Sequence, residues 1–186
     1  PGVAGVAFER LCAGAAGGRA RSDGTYFLRK VLDLDPRVSL STVTPENFQD
    51  TGAFDLLIFN GWAPPALPRG SLVFFDAVPP REGLREDGTL ASPPLLATEG
   101  RHPVMRFLNP GNVRVGSARK LLLPAGAQGL LSTEGGSLIA DVSLAGQQVL
   151  VVAFDLAESN WPLHLSFPLF MQNLISWVPR AGNSGE

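Results

Sequence analysis

The sequence predicts an α/β domain built on a mostly parallel sheet. Three runs carry that reading: 54–59 (FDLLIF), 71–75 (SLVFF) and 147–154 (QQVLVVAF) are apolar over most of their length. Such runs suit strands buried on both faces, as in a parallel sheet held between covering layers. A closing segment at 166–178 places Phe167, Phe170, Met171, Leu174 and Val178 on one helical face.

The elements read in order as follows. Val3 to Leu11 reads as a strand, and the small, flexible AGAAGGRARSDG after it as a loop. Asp23 or Thr25 caps a helix whose Phe27, Val31 and Leu34 share a face, and Pro36 ends it. RVSLSTV at 37–43 is a strand rich in β-branched residues. Thr44-Pro45-Glu46 opens a short helix reaching about Asp50. Asn60-Gly61-Trp62 turns the chain after the first buried run, and Asp76 ends the second. Residues 79–94, rich in Pro, Gly and charge, read as an irregular excursion at the sheet edge. Leu95 to Thr98 is a brief strand. His102-Pro103 opens a helical turn that sends Val104, Met105, Phe107 and Leu108 inward. Three β segments follow at 113–123, 127–132 and 137–142, with Glu134-Gly135-Gly136 as a hairpin turn. The last strand ends at Asp155, Ser166 caps the closing helix, Pro179 stops it, and a polar tail remains. Helices are few, yet buried strands demand cover on both faces of the sheet.

Composition narrows the function. The 186 residues fit a single domain, 1–186, with a poorly defined start at 1–24 and a tail at 179–186. Fifteen basic and 17 acidic residues give a net charge of -2, and the Arg residues form no stripe, so nucleic-acid binding has no electrostatic support. Charged residues are only 17%, as expected of a domain with a small-residue surface or one that buries a face against a partner. Cys12 is the only cysteine, which rules out an intramolecular disulfide and a thiolate metal cluster. His102 and His164 are the only histidines, too few for most transition-metal sites. No apolar run approaches the length of a membrane helix, so this piece is expected to be soluble. Beginning at Pro1 rather than Met, it reads as a piece of a longer chain.

Ligands of open parallel sheets sit outside the C-terminal ends of the strands. The candidates are therefore Asn60, Gly61 and Trp62, then Asp76, then Asp155, Ser159, Asn160 and Trp161. Asp155, Glu158, Ser159 and Asn160 have the chemistry to bind a hard cation or hydrogen-bond a ligand. They equally suit a turn into the last helix, with Trp161-Pro162 as a packing plug. Cys12 lacks a local His or helix N-terminus to activate it. His102 and His164 suit backbone contacts at turns better than proton transfer. No G-x-S-x-G elbow and no phosphate loop is present.

Four phrases, TYFLRKVLDLDPRV (25–38), FDLLIFNGWAPPALPRG (54–70), RHPVMRFL (101–108) and VLVVAFDLAESNWPLHLSFPLFMQNLISWV (149–178), carry a resemblance. They are similar to the class I glutamine amidotransferase-like domain of bacterial membrane-anchored proteins that also carry a von Willebrand factor A domain, the aerotolerance-operon type. The resemblance implies a flavodoxin-like three-layer fold with helices on both faces and an antiparallel extension. Active members of the fold place a Cys in a G-x-C-x-G elbow, with a His-x-Glu pair downstream. Here the candidate elbows are Asn60-Gly61-Trp62 and Asp76-Ala77-Val78, neither with Cys, and His164-Leu165-Ser166 lacks the Glu. The implied role is a non-catalytic accessory, binding or assembly domain, with no catalytic residue, no cofactor and no metal. Its partners would be other domains or proteins of a membrane complex. Two alternatives stand beside it: a small-molecule sensor walled by Trp62 and Trp161, and a hydrolase using the Asp155–Asn160 cluster.

Overall fold

The computed structural model describes residues 3–9, 23–50, 52 and 54–179, with 3–9 and 23 described by their backbone alone. Cys12, the loop expected after the first strand and the polar tail lie outside these residues.

The first strand, β1 (Val3–Glu9), leads to α1 (Asp23–Asp33) and β2 (Val38–Val43). The two buried runs form β3 (Leu56–Asn60) and β4 (Ser71–Phe75), in which every residue is buried. An antiparallel excursion follows: β5 (Arg85–Ala91), β6 (Ala97–Thr98), β7 (Ser117–Leu122), β8 (Gln128–Thr133) and β9 (Gly136–Asp141). The chain returns to the sheet as β10 (Val149–Val152) and closes with α2 (Ser166–Trp177).

One eight-stranded sheet has the order β2-β1-β3-β4-β10-β9-β8-β6. Its first five strands are mutually parallel, and from β9 onward the pairing is antiparallel. β5 and β7 form a separate antiparallel pair. The architecture is α/β on a mixed, largely parallel sheet. Glu134-Gly135 makes the hairpin between β8 and β9, with Gly135 at φ 84°, where only glycine is free of Cβ strain.

Strand alternation splits the core in two. Leu56, Ile58, Val73, Phe75, Leu150 and Val152 point to one face, where Leu28 and Leu32 of α1 and Phe167, Phe170, Met171, Leu174 and Ile175 of α2 pack on them. Leu57, Phe59, Leu72, Phe74, Val149 and Val151 point to the other. Here the expectation of helices on both faces is corrected. Among the described residues both α-helices lie on the first face. The second is covered by Phe48, Trp62, Leu67 and the β5–β7 pair, with Phe59 and Phe74 stacked at 4.8 Å. The reason is in the connections. Those flanking β3 carry Pro45, Pro64, Pro65 and Pro68, and proline breaks a helical ladder, so aromatic loops cover this face instead.

Five local expectations also change. α1 docks through Leu28 and Leu32, while Leu34 is 82% exposed, so the apolar face is shifted from the one read through Leu34. The helix after Thr44 is only the 3₁₀ turn Pro45–Asn47. Phe107 points outward, 90% exposed at φ 61°, because Asn173 draws in the carbonyls of Val104 and Arg106 rather than the ring beyond them. Ser166 does not cap α2; its hydroxyl accepts a hydrogen bond from the Trp161 indole at 3.1 Å. The excursion 79–94, read as irregular, contains β5.

Candidate functional site

At the C-terminal ends of the parallel strands, the segments after β3 and β10 converge on the first turn of α1. Asn60 ends β3, and its amide donates to the Thr25 hydroxyl at 2.8 Å, both groups being buried. Thr25 therefore ties a helix to a strand rather than capping α1. Gly61 follows at φ 67°, its backbone N–H donating to the Phe75 carbonyl at 2.8 Å. The Trp62 ring turns to the aromatic face and packs edge-on against Phe48.

Asp155 follows the end of β10. Its carboxylate accepts from the Ala157 N–H at 2.9 Å and starts the 3₁₀ turn Leu156–Glu158. The same carboxylate stands against α1, where a Cβ added to Gly24 would lie 2.7 Å from Oδ1. Helix N-termini favour negative charge, so Asp155 suits this place. Gly24→Ala forces the carboxylate to move and is expected to cost about 1–3 kcal/mol, read from urea unfolding. A loss under about 0.5 kcal/mol would place Asp155 elsewhere.

Asp76 follows β4 at φ 47°, a left-handed turn that Asp tolerates better than most residues. Its N–H donates to the Val152 carbonyl, while its carboxylate accepts from Arg119 Nε at 2.8 Å. Arg119 comes from β7 and also donates through Nη1 to Glu86 of β5 at 2.7 Å. Burial pulls the Arg119 pKa down, but Glu86 and Asp76 outweigh it and hold it above the ordinary value. The β5–β7 pair thereby closes over the strand ends. Between it and the sheet lies a cleft of about 250 Å³, lined by Asp76, Glu86, Thr89, Ser117, Arg119, Asp155 and Glu158.

Of the sequence candidates, the structure brings Asp76, Asp155 and Glu158 to this one cleft. Ser159, Asn160 and Trp161 serve the fold beside it. Ser159 bonds the Leu156 carbonyl, Asn160 accepts from Arg114 N–H at 2.7 Å and donates to the Asn112 carbonyl, and Trp161 sits in the helix-side core. Trp62 and Trp161 lie on opposite faces of the sheet and do not wall a common cavity. Glu86 and Arg119 escaped the sequence reading because β5 and β7 meet only by pairing across the excursion. Among the described residues no group of three His, Cys, Asp or Glu side chains is placed to hold a metal.

The histidines stand apart from the cleft. His102 Nδ1 accepts from Val104 N–H at 3.3 Å, and Nε2 lies 3.1 Å from Asp141. His164 contributes backbone bonds to the turn before α2. Burial pushes the Asp141 carboxyl up, but bonds from His102 and Ser143 outweigh it and leave the pKa below the ordinary value. A carboxyl lowered on folding adds stability above its unfolded pKa of about 3.9 and loses it as pH falls toward the depressed value. The Arg37 guanidinium does the same to Asp35. The melting temperature is therefore expected to fall below about pH 4, less steeply in Asp141→Asn; equal slopes would remove Asp141 from the account.

No family model and no curated protein matches the chain. Its fold is shared by solved structures that include the following three. Cytoplasmic Protein STM1381 of Salmonella typhimurium LT2 aligns with a TM-score of 0.66 at 10% identity, over 95% of this chain and 99% of that one. Cytoplasmic Protein STM3548 of Salmonella typhimurium aligns with a TM-score of 0.70 at 9% identity, over 96% and 99%. Exo-beta-1,4-mannosidase Op5Man5 of Opitutaceae bacterium strain TAV5 aligns with a TM-score of 0.59 at 14% identity, over 96% of this chain but 36% of that one.

Proposed function

We propose that this chain is a non-catalytic binding or assembly module of the glutamine amidotransferase-like, flavodoxin-like type, serving a membrane-anchored bacterial parent. One observation carries the reading. The left-handed turn after β4, a position suited to a nucleophile elbow, holds Asp76, and Arg119 and Glu86 tie that carboxylate into an ion-pair chain. A carboxylate so paired is poorly suited to attack a substrate.

Two further points support it. The parallel strands run β2-β1-β3-β4-β10, which is the flavodoxin order 2-1-3-4-5 when β10 is counted fifth. The fold also recurs as about a third of a longer mannosidase chain, as suits a module joined to other domains. Among the described residues no helix is long and apolar enough to cross a membrane, so anchoring would fall to another part of the parent.

Ammonia release from glutamine tests the reading. No release above buffer is expected; hydrolysis that disappears in Asp76→Asn would overturn it. The polar cleft favours one second reading, a small-molecule sensor. A ligand at ~100 times its dissociation constant adds ~2.7 kcal/mol to the folded state. A metabolite that raises the melting temperature of the parent chain but not of Asp76→Asn would establish that reading instead.

A further inference from the structure

The two edges of the eight-stranded sheet are built differently. At one edge β6 has only two residues, and its neighbour β8 breaks register between Gly129 and Leu131 and again between Leu131 and Ser132. Short strands and irregular register are how sheets keep an edge from recruiting another strand. β2, at the other edge, has neither device. It pairs with β1 through six consecutive positions without a shift, and its sequence VSLSTV contains no charge and no proline. Among the described residues no strand occupies its outer side. Arg37, just before it, is neutralised by Asp35 at 2.6 Å, and the next charged residue along the chain is Glu46.

We infer that the β2 edge docks a second copy of this chain, antiparallel about a two-fold axis, so that two sheets become one. In such a pair, residues directly opposite share a face and the contact is self-complementary. With the axis at Leu40, Leu40 meets its own mate, Val38 meets Thr42, and Ser39 meets Ser41. No charged pair is opposed. Val38 and Leu40 are only half-buried against the helix-side core, so pairing removes further apolar surface from water.

α1 favours a second copy over an unrelated strand. Leu28 and Leu32 are buried beneath the helix, and Val31 lines the groove toward α2. At about 100° per residue, Arg29 and Asp33 take the opposite flank, away from α2. Both are exposed, and neither makes an ion pair among the described residues. A two-fold axis through Leu40 sets α1 antiparallel beside its mate, so that each Arg29 faces the other copy's Asp33. An unrelated strand brings no such reciprocal pair.

Sedimentation equilibrium of the 186-residue chain across the micromolar range tests the inference. A reversible dimer is expected. Ser39→Lys places a charge on the outer edge and is expected to raise the dissociation constant by roughly tenfold or more. Arg29→Asp weakens the dimer, and Arg29→Asp combined with Asp33→Arg restores it. These positions are exposed, so melting followed by circular dichroism at concentrations where every variant is monomeric should stay near that of the unaltered chain. In the unaltered chain, amide exchange at Ser39–Thr42 should slow as concentration rises. A chain that stays monomeric, a dimer indifferent to Ser39→Lys, or a charge swap that fails to restore association would each overturn the inference.

Discussion

Truncating Trp161 to alanine is expected to lower the unfolding free energy by about 3–5 kcal/mol, the largest single loss anticipated in this fold. The side chain is 3% exposed and touches three aromatic rings: Phe170 at 4.9 Å, Phe167 at 5.4 Å and Phe154 at 5.8 Å. Phe154 follows β10, whereas Phe167 and Phe170 belong to α2. The indole thus joins the last parallel strand to the helix that covers it. Its N–H also satisfies Ser166, a buried hydroxyl in the first turn of α2. Trp161→Phe keeps much of the packing but leaves that hydroxyl without its donor, so an intermediate loss is expected. Circular dichroism in urea is the suitable probe, because tryptophan emission would change with the substitution itself. A loss below about 1 kcal/mol in Trp161→Ala would mean that the cluster relaxes freely, unlike a close-packed core.

Arg119→Ala is the second large effect, expected at about 1.5–3 kcal/mol, the range for charge-assisted hydrogen bonds. The guanidinium is 28% exposed, which keeps the figure below that of a fully buried pair. Its removal leaves Asp76 and Glu86 as like charges facing one cleft and unfastens the β5–β7 pair from the strand ends. Asp76→Asn in the Arg119→Ala background should recover part of the loss, since it removes one of the two facing charges. If the double variant is no more stable than Arg119→Ala, the ion-pair chain does not couple the two segments. Hydrogen exchange adds a second reading: β5 and β7 amides should speed up more than those of β3 and β4, because only the former depend on Arg119.

The sequence made the centre of the sheet legible and its margins much less so. β3, β4 and β10 are apolar at nearly every position because both faces are covered, and that pattern survives without any knowledge of neighbours. β5 has the opposite character. REDGTLA is exposed along almost its whole length and is a strand only because β7 pairs with it. Propensity and burial give no warning of such a strand. In α1, Phe27 and Val31 do lie beside the core, yet the deepest contacts belong to Leu28 and Leu32. A short helix between a sheet and a second helix has two apolar flanks, and spacing alone does not say which is deeper. The candidate site divides the same way. The strand-end rule reached Asp76 and Asp155, but their companions Arg119 and Glu86 come from the excursion. Trp161 stood out as conspicuous in sequence, and its place is in the core.

The path between β4 and β10 has a consequence for how the chain reaches this fold. Those strands are neighbours in the sheet, yet Ser71 and Gln148, which hydrogen-bond at their starts, lie 77 positions apart in sequence. The β8–β9 hairpin, closed by two residues, pays almost no loop-closure entropy and can form in microseconds. The β4–β10 junction pays for the whole excursion before any of its contacts reward it. The antiparallel hairpin should therefore be an early island of structure, and the zipping of β10 onto β4, with α2 following, the late and slow event. Until that step the apolar edge of β4 stands open, and the nascent chain is at its most aggregation-prone.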